Sequence, residues 1–187
     1  SAFMGNYINN NNKGEHGIRA AYESYCVFSH NEITGIPAGR AFMSLRSPDQ
    51  GRSTFPSSVY GTYVYSEKNY VSDNWCYGGF TTGMVGCGLI SGNSNGRNRD
   101  YIWEKNLLES SATTNESMSL SGLGITARNN IFRMTSGSAI GTSRLEFSPS
   151  PDNLWIYNNS IYSAETSAGV FSVIANQPGD MSASSLY

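Results

Sequence analysis

Cys26–Ile33 reads CVFSHNEI, and its pattern returns in Tyr101–Leu108 (YIWEKNLL), Ile125–Phe132 (ITARNNIF) and Leu154–Ile161 (LWIYNNSI). Each stretch carries an apolar residue three places before an asparagine and another two places after it. With the asparagine as reference, six segments align, at Asn6, Asn31, Asn74, Asn106, Asn130 and Asn159. Three places earlier stand Phe3, Phe28, Val71, Trp103, Ala127 and Ile156; two places later stand Ile8, Ile33, Cys76, Leu108, Phe132 and Ile161. Five places earlier come Cys26, Asn69, Tyr101, Ile125 and Leu154, apolar except for Asn69.

Successive asparagines lie 25, 43, 32, 24 and 29 residues apart. A period of this size marks a solenoid, whose units bury their apolar side only by stacking on one another. The shortest intervals match one coil of a parallel β-helix, and the longer ones carry insertions. Apolar residues two apart mean strand alternation, and no stretch shows an amphipathic helix longer than two turns. Between Ile156 and Ile161 the inward alternation slips phase, so a tight corner separates two short strands. Asparagine tolerates the left-handed backbone such a corner needs. Stacked strands about 4.8 Å apart bring equivalent amides within bonding reach, as a ladder.

These asparagine-centred motifs resemble the right-handed parallel β-helix proteins of the pectate-lyase-like superfamily, from about Phe3 to Ile174. The expected fold is therefore all-β: a single-stranded, right-handed parallel β-helix of about seven coils with an asparagine corner ladder. Residues 1–187 form one domain, with insertion loops at about 47–62 and 91–100. The resemblance implies binding, cleavage or modification of acidic polysaccharides, or an adhesin or tailspike role, and a secreted or cell-surface location.

Composition agrees with a carbohydrate partner. Only 14% of residues are charged, against roughly 25% in an ordinary soluble domain, and polarity comes from Ser, Asn, Thr and Gly. The net charge of −2 argues against nucleic acid. No apolar run reaches the ~20 residues of a membrane-spanning helix. Cys26, Cys76 and Cys87 form no CxxC pair, and all three read as small buried hydrophobes.

Each coil needs a third strand. Candidates are His16–Ala21, Ala41–Arg46, Met84–Leu89, Met118–Leu123 and Val170–Ala175. In proteins that this chain resembles, this strand and its neighbouring loops form the ligand groove. With Ile18, Ala20, Met43 and Leu45 inward, Arg19, Ser44 and Arg46 face outward together. A lyase of this fold needs a base beside a uronate carboxylate and cationic groups to neutralise that carboxylate. Arg19, Arg46 and Arg40 are the expected carboxylate-binding residues, with Tyr65 as a further substrate contact. Lys68, His16 or Tyr63 would supply the base. The bland alternative is that the arginines pair with Glu15, Glu23 and Asp49. In the first insertion Phe55, Tyr60, Tyr63 and Tyr65 are candidate sugar-stacking aromatics. The second, Ser91–Asp100, reads as a solvated turn with Arg99 and Asp100 paired locally.

Other chemistries lack their residues. The aspartates are scattered over separate coils, so no pair of glycosidase carboxylates and no Ca²⁺ cage can be nominated. Two histidines, His16 and His30, make a zinc site implausible, and neither a metal nor another cofactor is expected. Trp103 falls on an inward position, whereas Trp75 and Trp155 alternate outward, as sugar platforms or lateral contacts. Phe3 already matches the repeat, which leaves no room for an N-terminal capping helix. A fragment of a longer protein, a missing flanking domain or end-to-end self-association would each account for that. The favoured expectation is a polysaccharide lyase acting by β-elimination. A binding or adhesin role, or a structural solenoid, is the alternative.

Overall fold

A computed structural model describes residues 1–21, 23–37, 40–46, 58–60, 63–78, 85–88, 96–111, 116–120, 122–142, 153–164 and 169–173. Every regular element among them is a β-strand. No helix long and apolar enough to cross a membrane occurs among these residues.

Eighteen of the strands form three six-stranded parallel sheets. The first holds Ala2–Met4, Val27–Ser29, Tyr70–Ser72, Ile102–Glu104, Thr126–Arg128 and Trp155–Tyr157. The second holds Tyr7–Asn9, Glu32–Thr34, Trp75–Gly78, Leu107–Ser110, Ile131–Met134 and Ser160–Ser163. The third holds Ile18–Ala21, Met43–Arg46, Val85–Gly88, Glu116–Leu120, Ser138–Thr142 and Gly169–Val173. The chain visits the three sheets in turn and comes back to the first one strand further along.

The repeat read from the sequence is the strand register itself. Phe3, Phe28, Val71, Trp103, Ala127 and Ile156 pair in sequence across the first sheet. Ile8, Ile33, Cys76, Leu108, Phe132 and Ile161 do so across the second. In the middle coils both columns are buried in one hydrophobic core, and the largest side chain, Trp103, neighbours the smallest, Ala127. Neighbouring bulk and void let the column fill at constant strand spacing. The thiol of Cys76 is fully buried, which pushes its pKa up, whereas Cys26 is only half-buried and donates to the Ser24 carbonyl. The side chain of Cys87 lies outside the described residues.

The asparagine corner differs in one respect from the expectation. The left-handed residue is not the asparagine but the residue before it: Gly5, His30, Asp73, Lys105, Asn129 and Asn158 all have φ between 53° and 69°. That bend turns the following N–H away from any backbone carbonyl of the next coil. The next asparagine supplies the acceptor instead. Oδ1 of Asn31 receives both the N–H and the Nδ2 of Asn6, at 3.1 and 2.9 Å. The same double bond joins Asn31 to Asn74, Asn74 to Asn106, Asn106 to Asn130 and Asn130 to Asn159. The second amide hydrogen points the other way, to a carbonyl of the preceding coil, as from Asn106 to Val71 at 3.1 Å. Each inner side chain thus fills its two donors and two acceptor sites. A second left-handed column precedes the ladder asparagines by six residues, at Tyr25, Lys68, Asp100, Gly124 and Asn153. Only one rung of an amide ladder follows there: Asn69 accepts from the N–H of Cys26 at 2.9 Å and donates to the carbonyl of Glu23.

Both insertions contain strand. Ser58–Tyr60 pairs antiparallel with Tyr63–Glu67, which pairs parallel with Gly96–Arg99. The solvated turn expected at 91–100 is therefore half β-structure, with Asn98 buried. Arg99 does face Asp100, at 3.3 Å, and also bonds the buried Glu67.

Glu23 lies 9% exposed, with Tyr101 donating to its Oε1 at 2.7 Å and its Oε2 without a partner among the described residues. Burial outweighs the Tyr101 bond and pushes its pKa up to about 7. It does not pair with an arginine.

Two predictions follow from these contacts. Asn106→Ala strands the buried N–H and amide of Asn74 and the carbonyl of Val71, and is expected to cost roughly 3 kcal/mol in urea unfolding. Asn6→Ala, at the half-exposed end where water can replace the amide, should cost less than about 1 kcal/mol; equal losses would refute the burial argument. Glu23 is protonated in the fold near neutrality and ionised in the unfolded chain, so its raised pKa lowers stability as pH climbs from about 4.5 to 7. Above that window the penalty levels off near 3 kcal/mol, as an order-of-magnitude figure. Glu23→Gln should therefore gain stability over the parent at pH 8 but little at pH 5, read as the difference between paired urea titrations.

Candidate functional site

Glu15–Arg19, EHGIR, leads into the first strand of the third sheet, and its spacing has local causes. A Cβ on Gly17 would stand 2.5 Å from the Ile33 side chain and 2.8 Å from the Phe42 carbonyl, so only glycine lets the chain pass there. Strand alternation then buries Ile18 and turns Arg19 outward. The next strand repeats this, burying Met43 and Leu45 and leaving Ser44 and Arg46 on the outer side. Register sets Arg19 beside Ser44 and Ala21 beside Arg46, so the two arginines sit diagonally on adjacent strands. Arg40 enters from the turn that its own N–H closes on the Pro37 carbonyl.

His16, Arg19, Arg40 and Arg46 lie close enough for the charges of the arginines to act on His16 and on Arg46. Glu15 is their one described carboxylate, 2.7 Å from Arg19 and 3.7 Å from Arg40. Arg46 donates through Nε to Ser44 at 3.0 Å, and among the described residues its terminal nitrogens have no partner. Burial, then the charge of Arg19, holds the Arg46 guanidinium below its ordinary pKa; Arg40 adds to this and Glu15 opposes it. It stays protonated, as guanidinium does in proteins. The patch therefore carries an excess of positive charge.

His16 Nδ1 lies 2.9 Å from the Ala41 nitrogen and 3.2 Å from the Ala41 carbonyl oxygen, and its Nε2 is buried and unpartnered among the described residues. Burial, followed by Arg46, Arg19 and Arg40, holds its pKa below the ordinary value. The ring bridges two neighbouring strands through the Ala41 backbone.

The remaining expected residues disperse. Lys68 occupies a left-handed corner, where its ammonium lies 3.3 Å from the Tyr25 hydroxyl and 5.2 Å from that ring's centre. The charges that act on His16 and Arg46 do not include it. Tyr65 is 6% exposed beneath the Arg99 guanidinium, 4.9 Å away, and offers no face to a sugar. Tyr63 opens a strand, but its side chain lies outside the described residues, as do Phe55 and the side chain of Tyr60.

Among the other described arginine side chains, each is neutralised in place. Arg128 bonds Glu104, which Tyr70 also holds; Arg133 bonds Glu109 at 2.7 Å; Arg99 bonds Glu67. Among the described residues no three His, Cys, Asp or Glu side chains gather where a metal ion would sit.

One feature of this face was missed at the sequence level. Outward positions on the third sheet run Arg19, Ser44, Gly86, Ser119 and Gly141 in register. The next outward column has Gly88 beside Arg46. The arginines thus stand at one end of a column of small residues. Reading it required a strand at Ser138–Thr142, which its short, glycine-containing sequence does not announce.

No protein-family model, no curated protein and no solved structure matches this chain.

Proposed function

We propose that the chain winds as a right-handed parallel β-helix, a solenoid of six described coils, and binds an acidic polysaccharide along its third sheet. The observation that carries this reading is the uncompensated cluster of Arg19, Arg40 and Arg46 beside one carboxylate, Glu15. A uronate or sulfate group would supply the missing counter-charge, with guanidinium matching its oxygens pairwise. The serine and glycine column beyond lets a chain lie close to the backbone along the stack. Low overall charge suits a hydroxyl-rich partner, and such a protein acts outside the cell or on its surface.

Binding without cleavage fits better than β-elimination. His16 has Nδ1 against the Ala41 backbone and Nε2 buried, and Lys68 is engaged with Tyr25, so neither stands ready to remove a proton. The lyase reading keeps one support: Ser66, on the strand that Tyr63 opens, donates to the Arg46 carbonyl at 3.3 Å. Tyr63 therefore belongs to the strand that neighbours the arginines.

Calorimetric titration with polyguluronate, polygalacturonate and heparan sulfate tests the proposal. At least one should bind, with affinity falling as salt rises and dropping about tenfold or more in Arg19→Ala/Arg46→Ala. Failure of all three polyanions, or binding indifferent to both arginines, would remove the assignment. Growth of unsaturated-uronate absorbance that vanishes in Tyr63→Phe would instead install the lyase.

A further inference from the structure

The outer face of the second sheet carries a different surface. Two columns of outward residues run along it in register. One passes through Tyr77, Glu109, Arg133 and Tyr162; the other through Glu32, Trp75, Leu107 and Ile131. Where the strands end, a shallow, open groove of about 600 Å³ lies between Tyr77, Glu109, Arg133 and Tyr162, with serines 110 and 163 beside it. Trp75 adjoins the groove, its ring 4.5 Å from that of Tyr77.

The aromatic rings are held in place by their polar ends. The indole N–H of Trp75 donates to Glu109 Oε2 at 2.6 Å, and the Tyr77 hydroxyl donates to Glu32 Oε1 at 2.8 Å. The other Glu109 oxygen takes the Arg133 guanidinium at 2.7 Å. Trp75 nevertheless stays 40% exposed and Tyr162 61% exposed. Rings whose orientation is already fixed lose little freedom when a flat apolar face stacks on them.

Charge decides which partner fits. Arg133 and Glu109 cancel, and Glu32 adds a negative charge at the edge, so the groove has nothing to offer a polyanion. What remains is aromatic surface, hydroxyls and the unused N–H groups of one guanidinium. Pyranose rings match that set, with C–H faces for the aromatics and hydroxyls for the polar rim. Tyr77 and Tyr162 are three strands apart, roughly 14 Å at the usual strand spacing, which accommodates a short run of sugar rings.

We infer that this groove is a second glycan site, specific for an uncharged oligosaccharide and independent of the arginine face. The test is titration of the full chain with cellohexaose, mannohexaose, xylohexaose and maltohexaose, followed by heat and by tryptophan fluorescence. One or more of these neutral hexasaccharides should bind with little change on adding salt, since no net charge is neutralised. Tyr162→Ala, at an exposed position that tolerates truncation, should weaken that binding about tenfold, and Trp75→Ala should do likewise. Trp155→Ala, outside the groove on the first sheet, and Arg19→Ala/Arg46→Ala should leave it within about twofold. Absence of binding by all four probes overturns the inference, as does binding that survives both Tyr162→Ala and Trp75→Ala. Sedimentation that shows self-association lost in Tyr162→Ala, with no sugar bound, overturns it in favour of a contact between two copies. Because polyanion binding is read with separate ligands and separate variants, either site can fail without the other.

Discussion

Everything in this fold depends on one backbone amide per coil. A left-handed residue bends the chain between the first and second sheets, and the N–H just after it loses its carbonyl partner. An unpaired N–H in the interior costs on the order of 1–3 kcal/mol, so each coil must find an acceptor. A side-chain amide from the next coil meets the need and brings two donors of its own. One of these reaches onward to the following amide and the other back to the coil before. The solution propagates, because every asparagine added creates the same demand one coil further on. Valine or leucine at that position would pack as well and leave the amide stranded.

This pairing also fixes register, and register makes the surfaces. Slipping one strand by a residue would break the ladder and turn an apolar column outward. Held in place, the three sheets present three outer faces of different chemistry. The first carries tyrosines and a satisfied Glu104–Arg128 pair, the second the aromatic groove, the third small residues beside arginines that share one described carboxylate. Each face is a column of residues separated by 22 to 43 positions in sequence, so none is visible as a local motif.

That separation explains which features could be read from the sequence. The inward columns were legible because they repeat chemically similar residues, and structural register reproduces that alignment at every rung. The grouping of Arg19 with Arg46 was legible because strand alternation alone predicts it. Left-handed corners were assigned one residue too late, because the positions that bend are Gly, His, Asp, Lys and Asn, with no shared identity. Glycine fits such a bend without strain, yet Lys105 and His30 are held there by the packed strands on both sides. The roles of His16 and Tyr65 turn on which atom meets which neighbour one coil away, and composition carries no trace of that. The strand Gly96–Arg99 was hidden in a run of Asn, Gly and Ser, residues that ordinarily mark a turn.

Electrostatic arithmetic separates the arginines of the third sheet from those paired elsewhere. An exposed ion pair contributes only about 0–1 kcal/mol, so arginine and carboxylate pairs such as Arg133–Glu109 are weak reasons for a residue to be there. Like charges brought together without partners are a net cost at any salt below full screening. Arg19, Arg40 and Arg46 share a single described carboxylate, Glu15, and so incur part of that cost on the third sheet, where Arg46 is already partly stripped of water. Folding alone gives no return for it, since serine at each place would satisfy the same outward positions as Ser44 does. A ligand that supplies the absent negative charge removes the repulsion and gains the guanidinium bonds together. The energy the fold forgoes on that face is the energy available to the complex.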